Sequence, residues 1–345
     1  MSKQSVWTLF CVLAIAGCAR TASTDQKEAE VQYFNAWASV NLPNATKTSL
    51  GSYIIDSQDG TGEPIGDSKY IRADYVVRTL DGMVSSSSTE QMAKQLGTYS
   101  ETDTYVPGVW YRGDNMLYAG IEELIAGKRA GLKVKAAVPG WLITSNRYGT
   151  AKEYQLNETG TNAIYEIQVI DAFDDVRVWE TDSLVRYLTR HFPGVNPADT
   201  VNAETDSLKT KKYGFYYIVT KPSTRPDSTF LPDKEVYLNY IGRLLNGKVF
   251  DTNIKDTAKI HGLYSASRTY KPVIINWAEK YEDLTMSEDK SSVIDGFKFA
   301  LFQMKPYECG TAIFISNYGY SDSGSGTSIP GYSPLRFDFA LVDKE

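Results

Sequence analysis

An internal repeat constrains this 345-residue sequence more than any other feature. The segment from Tyr75 to Gly82 matches the segment from Tyr240 to Gly247. Each reads as a strand that ends in a hairpin turn, at Asp-Gly in the first copy and at Asn-Gly in the second. Each is preceded by another apolar, aromatic strand and a polar loop, so the sequence predicts two copies of one fold.

The two copies match again further along the chain. Residues 118–124 parallel residues 294–300 as a short amphipathic helix, and a strand follows each of them, at 132–138 and 311–315. Each copy closes on a last alternating strand, 163–170 and 335–342. Strands grouped around one helix predict an α+β fold for each copy: a curved antiparallel sheet wrapped on one short helix.

Charged and apolar residues alternate at helical spacing between the copies, over residues 178–192, and predict a connecting helix that ends at Pro193. We therefore divide the chain into a signal peptide (residues 1–17), a tether with a short helix (18–47), the first copy (48–173), a helical linker (174–210) and the second copy (211–345).

The N-terminus has the features of a bacterial export signal. Lys3 precedes an apolar run that is too short to span a bilayer, and the run ends in Ile15-Ala16-Gly17-Cys18. Small residues directly before a cysteine resemble the cleavage site of lipoproteins, so we expect lipidation of Cys18 and an anchor in the bacterial cell envelope, at the outer membrane or the periplasmic face. The alternative is an ordinary secretory signal with an incidental cysteine. Residues 19–30 read as a flexible tether, and residues 31–40 as a short helix.

Composition narrows the choice of partners. A net charge of −6 without a basic block argues against nucleic acid, and the 24 tyrosines favour strands and aromatic-lined sites. Beyond the predicted signal and Cys18, Cys309 is the one remaining cysteine, so no disulfide is expected in the exported domains. Histidine, cysteine and carboxylate residues show no metal-ligand spacing, so no metal site is expected.

The second copy resembles the FKBP family of peptidyl-prolyl cis-trans isomerases. The resemblance is carried by Tyr-Ile-Gly at 240–242, by Asn-Gly-Lys-Val-Phe-Asp at 246–251 and by Val-Ile-Asp-Gly-Phe at 293–297. It continues through residues 315–320, 329–330 and 335–339. These short motifs are weak one by one, but their order and spacing are those of the family along nearly the whole copy.

The resemblance implies a proline-binding pocket. It assigns catalytic roles to Tyr240, Phe250, Asp251 and Tyr320, and substrate binding to Val293, Ile294, Phe297, Ile329 and Phe337. Phe297 stands at the pocket floor, and Tyr318 competes with Tyr320 for the role of the loop tyrosine that donates to a substrate carbonyl. The segment 252–292 is longer than in a minimal family member, which leaves the flap beside the pocket undefined.

Rotation about an X–Pro bond makes and breaks no covalent bond, so neither a cofactor nor a metal is expected. The barrier of ~18–20 kcal/mol comes from amide resonance. Catalysis requires only that the twisted amide binds more tightly than the planar one. The twisted amide is less dipolar, so its transfer from water into a dry aromatic pocket costs less free energy than that of the planar amide.

The first copy departs from the family pattern. It keeps Tyr75, Gly120, Tyr148 and Tyr165, but Ser85 and Ser86 replace the Phe-Asp pair, Tyr118 replaces the isoleucine and Ile121 replaces the floor aromatic. We expect this copy to be inactive as an isomerase, with a pocket that has lost the acid and most of the side chains that would hold a ligand.

The resulting hypothesis is a monomeric isomerase that acts on proline-containing polypeptides and assists the folding of exported proteins. The first alternative is a non-catalytic chaperone or adaptor that uses both folds as peptide-binding surfaces. A weaker third is a structural surface lipoprotein.

Overall fold

The computed structural model describes residues 22–148, 150–154, 160–195, 214–225, 227–231, 234–288 and 292–343. Within them lie two separate antiparallel sheets, each with seven strands. One sheet belongs to each copy of the repeat, and each copy packs a short helix against its sheet. The predicted α+β class with two domains of one fold is therefore confirmed.

The first domain contains seven strands and three short helices. Its strands are β1 (Thr46–Lys47), β2 (Tyr53–Gln58), β3 (Tyr70–Arg78), β4 (Val84–Ser87), β5 (Gly108–Tyr111), β6 (Lys133–Val138) and β7 (Ala163–Phe173). Its helices are α2 (Glu90–Leu96), α3 (Ala119–Ile125) and α4 (Ala151–Tyr154), and α1 (Ala22–Asn41) precedes them.

The second domain follows the connecting helix α5 (Val176–His191). Its strands are β8 (Phe215–Lys221), β9 (Glu235–Leu244), β10 (Val249–Thr252), β11 (Val273–Asn276), β12 (Thr285–Met286), β13 (Cys309–Phe314) and β14 (Leu335–Val342). Its helices are α6 (Lys255–Ile260) and α7 (Asp295–Gln303).

The two sheets have the same topology. In the first, β2, β6, β7 and β3 lie side by side in that order, and in the second the order is β8, β13, β14 and β9. The register agrees as well, because Tyr165 lies opposite Val77 just as Phe337 lies opposite Gly242. The repeat read from the sequence is therefore a repeat of backbone structure.

The hairpin β3–β4 of the first domain and the hairpin β9–β10 of the second show the match in detail. Gly82 and Gly247 have φ values of 94° and 91°, which an L side chain rarely adopts. Past the turn, each pairing contains a β-bulge: Ser85 is the extra residue between Val84 and Ser86, and Phe250 is the extra residue between Val249 and Asp251. Ser85 and Ser86 thus take the places of Phe250 and Asp251, as the sequence comparison predicted.

Each domain also depends on a glycine where its helix crosses the sheet. A Cβ on Gly120 of α3 would collide with Val138, and a Cβ on Gly296 of α7 would collide with Phe314. Both helices are short, but most of their residues are buried. The glycines let each helix approach its sheet closely, and this gives the tight packing of the core.

The connecting helix packs on the second domain. Leu184 and Leu188 are fully buried against Tyr216, Ile313 and Ile315 on the outer face of its sheet. The Asp175 carboxylate caps the helix by accepting hydrogen bonds from the N–H groups of Arg177 and Val178.

The N-terminal helix is longer than predicted. It runs from Ala22 to Asn41, so residues 22–30 are helical rather than a flexible tether. Alanine, glutamate, glutamine and lysine dominate that stretch, and these are strong helix formers even without an apolar pattern. Phe34 anchors the helix to the first domain beside Ala137 and Ile164. In the described residues no helix is both long enough and apolar enough to cross a bilayer. Cys18 lies outside the described residues.

Candidate active site

Four aromatic side chains of the second domain converge into what we call the aromatic cup: Tyr240, Phe250, Phe297 and Phe337. They come from β9, β10, α7 and β14. The centroid of the Phe337 ring lies 5.5 Å from that of Phe250 and 5.6 Å from that of Phe297, both edge-to-face. Tyr240 meets Phe297 at 5.8 Å and Phe337 at 6.2 Å. Four of the predicted site residues therefore form one cluster, in which Phe337 contacts each of the other three.

Two local features of the strands let the cup form. The bulge at Phe250 interrupts the alternation of side chains in β10, so that Phe250 meets the cup ring of Phe337 while the next residue, Asp251, bonds to Tyr240. Gly242 leaves room for these rings, because a Cβ there would lie 2.6 Å from Cε2 of Phe250 and 3.0 Å from Cε1 of Phe337. The first domain has Val77 at this position, and Ser85 brings no ring to collide with it.

A polar group sits at the rim of the cup. The Tyr240 hydroxyl donates to Oδ2 of Asp251 at 2.5 Å, and Nη1 of Arg268 donates to Oδ1 of the same carboxylate at 2.6 Å. Arg268 also reaches the Tyr240 hydroxyl at 3.4 Å. The Asp251 and Arg268 side chains remain 37% and 39% exposed, so the group can be reached from solvent.

Burial raises the pKa of Tyr240, and the neighbouring Asp251 carboxylate raises it further. The phenol therefore remains a neutral hydrogen-bond donor at any physiological pH. Burial opposes the charge of Arg268, but its bond to Asp251 more than compensates and raises its pKa, so the ion pair is retained.

The two candidate loop tyrosines have different surroundings. Burial raises the pKa of Tyr320, and the charge of Asp251 raises it further. Tyr318 packs edge-to-face on Phe299, with ring centroids 5.4 Å apart. Burial raises the pKa of the Tyr318 phenol as well, and the charge of Arg177 in α5 lowers it. Of the two tyrosines, Tyr320 is the one on which the charge of Asp251 acts.

The remaining predicted residues border the same cluster. Ile329 is 4% exposed within the core that contains the cup rings, and Val293 and Ile294 are partly buried against that core just before α7. All nine site residues inferred for the second copy thus lie in one region of the second domain.

The long segment after Asp251 forms one wall of a cleft beside the cup. It folds into α6 and the strand β11, which pairs with β9 through Ile274 opposite Tyr237. A cleft of about 410 Å³ lies between this segment and Tyr240, and Arg268, Val273 and Met286 are among its lining residues. The flap that the sequence left undefined is therefore an additional pair of strands on the edge of the sheet.

The first domain supports the loop that carries Tyr320 and Ile329. The Thr104 N–H and hydroxyl donate to the carbonyls of Thr327 and Ser328 at 2.8 and 2.6 Å. The Thr327 hydroxyl donates to Asp103 at 2.6 Å, and the Lys248 ammonium group bonds to the Asp103 carbonyl. The active-site loop is therefore held from both domains.

The equivalent position in the first domain contains an aromatic-lined cavity. As predicted, Ser86 stands there in the place of Asp251. The cavity has a volume of about 490 Å³, and Trp110 and Tyr111 of β5 contribute to its lining. The repeat comparison did not include β5, so these two rings were not expected. Tyr148 is not among the residues that line this cavity.

Sequence reasoning also missed Arg268, Gly242 as a spacing residue, and Phe339, whose ring lies 4.7 Å from that of Phe297 behind the cup. The alternation of β14 could have indicated Phe339. Nothing in the sequence pattern indicates Arg268, because it lies 17 residues from Asp251 in a loop. Among the described residues no group of three or more histidine, cysteine or carboxylate side chains is placed to hold a metal ion.

Comparison with known proteins agrees with this arrangement. Residues 227–342 match the family model described as FKBP-type peptidyl-prolyl cis-trans isomerase. The chain is similar, at 16% identity and a TM-score of 0.28, to the structure of the three FKBP domains of wheat FKBP73, over 86% of this chain and 95% of that chain. It is similar, at 20% identity and a TM-score of 0.28, to a peptidyl-prolyl cis-trans isomerase from Pseudomonas syringae pv. tomato strain DC3000, over 47% of this chain and 94% of that chain. Because superpositions at these scores carry no weight, the assignment rests on the family model and on the motifs within its range. Within residues 227–342, the second domain is therefore a domain of the FKBP-type peptidyl-prolyl cis-trans isomerase family.

Proposed function

We propose that the second domain catalyses cis-trans isomerisation of X–Pro bonds in polypeptides and so acts as a folding catalyst. The observation that carries the proposal is the aromatic cup with Asp251, Tyr240 and Tyr320 at its rim. In this proposal a prolyl ring packs against the apolar rings of the cup, and the rim offers one carboxylate and two phenols to the amide that must rotate.

Each part of the site has a distinct task in this mechanism. The rings of Phe250, Phe297 and Phe337 hold the prolyl ring and exclude water from one side of the amide. As the amide twists, its carbonyl loses resonance and leaves the amide plane, where the Tyr320 hydroxyl can donate to it. Donors aimed at the twisted state rather than at the planar one lower the barrier.

Asp251 fixes the rim. Its carboxylate holds the Tyr240 phenol and the Arg268 guanidinium, and it presents negative charge toward the rotating amide. An acceleration of about 10⁵ would require about 7 kcal/mol of preferential binding to the twisted state, which a few preorganised dipoles in a water-poor site can supply.

The test is a protease-free isomerisation assay on a peptide with one X–Pro bond. We expect Asp251→Ala, Phe250→Ala and Tyr320→Phe each to lower kcat/KM, by about tenfold or more for the first two, because an oriented rim group or a ring of the cup is lost. Full activity in the combined triple variant would rule out this site.

Matched controls exist in the first domain at the same bulge. Ser85→Ala and Ser86→Ala change the residues equivalent to Phe250 and Asp251, and we expect them to leave the isomerisation rate unchanged. A loss equal to that of the second-domain variants would locate catalysis elsewhere.

A second candidate function is peptide binding without catalysis, as a chaperone or adaptor. The observation that favours it is the aromatic cavity of the first domain, which keeps a concave surface but has Ser86 in the place of Asp251. Suppression of aggregation by a chain that shows no isomerase activity would support this candidate over the first.

We also propose that the chain is exported and anchored by a lipid on Cys18 in the bacterial cell envelope, where its partners would be exported proteins with prolines. This rests on the sequence around Cys18 alone. Release of the Cys18→Ala variant into the soluble envelope fraction, with loss of incorporated fatty acid, is the expected result. Equal membrane retention would contradict it.

A further inference from the structure

The aromatic cavity of the first domain, which we call the interdomain cavity, is built from both domains. The first domain supplies most of the lining, including Tyr75, Trp110, Tyr111, Tyr118, Ile121 and Tyr165. Asp322 and Tyr332 of the second domain complete it. At about 490 Å³ it lies within the ordinary range of ligand sites, which are apolar cavities with a few polar groups.

We propose that the interdomain cavity is a second binding site, which holds a proline-rich segment of an extended polypeptide without isomerising it. The inference rests on the proposed function only in that the same polypeptide would supply a proline to both sites. It adds a ligand site to the domain that lacks the acid.

The chemistry of the lining indicates the ligand. Proline-rich segments adopt the extended polyproline II helix, which has no internal hydrogen bonds, so their carbonyls need donors from the binding protein. Grooves lined by tryptophan and tyrosine bind such segments because the rings stack on prolines while the polar edges donate. The indole N–H of Trp110 and the hydroxyl of Tyr165 make no hydrogen bond to any other described residue, so both remain available as donors.

The cavity has room for a ligand because the first domain lacks two of the rings that form the aromatic cup of the second domain. Ile121 stands where Phe297 stands, and Ser85 where Phe250 stands. Burial raises the pKa of Tyr165 to about 12, and the neighbouring Tyr118 raises it too, so the Tyr165 phenol lines the cavity as a neutral donor. At the mouth, Tyr118 is 41% and Met116 is 68% exposed, which leaves apolar surface for a ligand to cover.

The loop from the second domain connects the two sites. Tyr320 and Ile329 of this loop pack in the core that contains the aromatic cup, while Asp322 and Tyr332 line the interdomain cavity. The loop is closed by a hydrogen bond of 2.8 Å from the Tyr332 N–H to the Ser321 carbonyl, and both residues have left-handed φ values, 55° and 51°. A ligand in the interdomain cavity therefore touches the segment that positions Tyr320.

Titration of the full chain with a fluorescein-labelled peptide of alternating alanine and tri-proline blocks tests the inference. We expect two peptides bound per chain, and one in the variants Trp110→Ala and Tyr118→Ala, whose remaining site is that of the aromatic cup. Tyr33→Ala is the matched control, because Tyr33 is an exposed tyrosine of α1 at 57% exposure and lies outside the cavity lining. A peptide with alanine in place of every proline should bind the interdomain cavity at least about tenfold more weakly.

Three outcomes would overturn the inference: one peptide per wild-type chain, two peptides in both cavity variants, or equal binding of the alanine peptide. Tyr118→Ala removes a partly exposed side chain and keeps the test valid if Trp110→Ala fails to fold. Asp322→Asn should weaken only the interdomain cavity, which a site confined to the first domain would not show.

The same titration separates this inference from the proposed function. In Phe250→Ala/Asp251→Ala, isomerase activity should disappear while one peptide still binds in a manner that Tyr118→Ala abolishes. If the wild-type chain shows no isomerase activity yet this binding remains, the proposed function fails and the inference stands. If isomerase activity is present and Tyr118→Ala changes no binding, the inference fails alone.

Discussion

At the residue scale, the aromatic cup depends on the absence of a side chain as much as on the rings themselves. Phe337 contacts four other phenylalanines at centroid distances between 5.5 and 5.9 Å, namely Phe250, Phe297, Phe314 and Phe339. Gly242 lies opposite Phe337 in the sheet, and the space above it is filled by the ring of Phe250. One methyl group at this position would displace the ring of Phe250.

We therefore expect Gly242→Ala to destabilise the second domain by about 1–3 kcal/mol, the usual cost of overpacking a core, and to lower isomerase activity. Urea unfolding and the peptide assay measure the two effects.

The matching double variant distinguishes overpacking from a backbone effect. In Gly242→Ala/Phe250→Ala the added methyl group meets no ring, so the stability cost of Gly242→Ala should largely disappear in the double-mutant cycle. Additive costs would mean that the glycine matters for its backbone and not for the space it leaves.

The resemblance to the family indicated the aromatic residues of the site, but only the structure distinguished between residues that are close together in the sequence. Tyr318 and Tyr320 are both partly buried loop tyrosines, and the pattern around them fits either choice. Their different surroundings, Phe299 for one and the rim at Asp251 for the other, arise from the path of the loop, which sequence spacing does not contain.

At the element scale, the connecting helix α5 holds the start of the active-site loop. The Glu180 carboxylate of this helix is 1% exposed and accepts hydrogen bonds from the N–H and hydroxyl of Ser316, at 2.6 and 2.7 Å. Ser316 begins the loop that carries Tyr320. The sequence predicted a helix here from its apolar residues but gave no sign that a buried acid would join it to the site.

This acid makes stability depend on pH in a definite direction. Burial raises the pKa of Glu180 above its ordinary value, although the bonds from Ser316 oppose the shift. The folded chain thus binds more protons than the unfolded chain between the ordinary pKa and the raised one. Stability from this group is therefore present at low pH and is lost as the pH rises through that window.

We expect Glu180→Gln to remove this dependence. The difference in unfolding free energy between the wild type and Glu180→Gln should shift in favour of the wild type as the pH falls from 7 to 5, measured by urea unfolding at both values. A difference that stays constant, or that shifts toward the variant on acidification, would contradict the assignment.

At the scale of the whole molecule, the two domains share the loop between Ser316 and Tyr332. The first domain contacts its outer part through Asp103 and Thr104, and the connecting helix α5 holds its beginning through Glu180. Tyr332 extends the contact by packing edge-to-face on Tyr70 of the first domain, with ring centroids 5.7 Å apart. The first domain therefore helps to hold this loop of the second domain in place, independently of any ligand that the first domain binds.

We expect Asp103→Ala to speed amide hydrogen exchange in residues 324–330 and to lower kcat/KM by a few-fold, because Thr327 loses its acceptor and the loop gains freedom. Asp59→Ala is the control, since Asp59 forms a surface ion pair with Lys128 away from the loop. Exchange that speeds up equally in both variants would show that the contact does not restrain the loop.

The sequence by itself determined the doubled α+β fold, the hairpins at Gly82 and Gly247, the strand β14 to the residue, and the identity of the rings in the aromatic cup. These depend on side-chain alternation, turn chemistry and motif order, which are local properties of a chain. Only the tertiary structure decided that Arg268 meets Asp251, that the charge of Asp251 acts on Tyr320 rather than on Tyr318, and that Trp110 lines a cavity together with Asp322. These residues are separated along the chain and come together only in the folded structure, so local sequence patterns do not reveal their contacts.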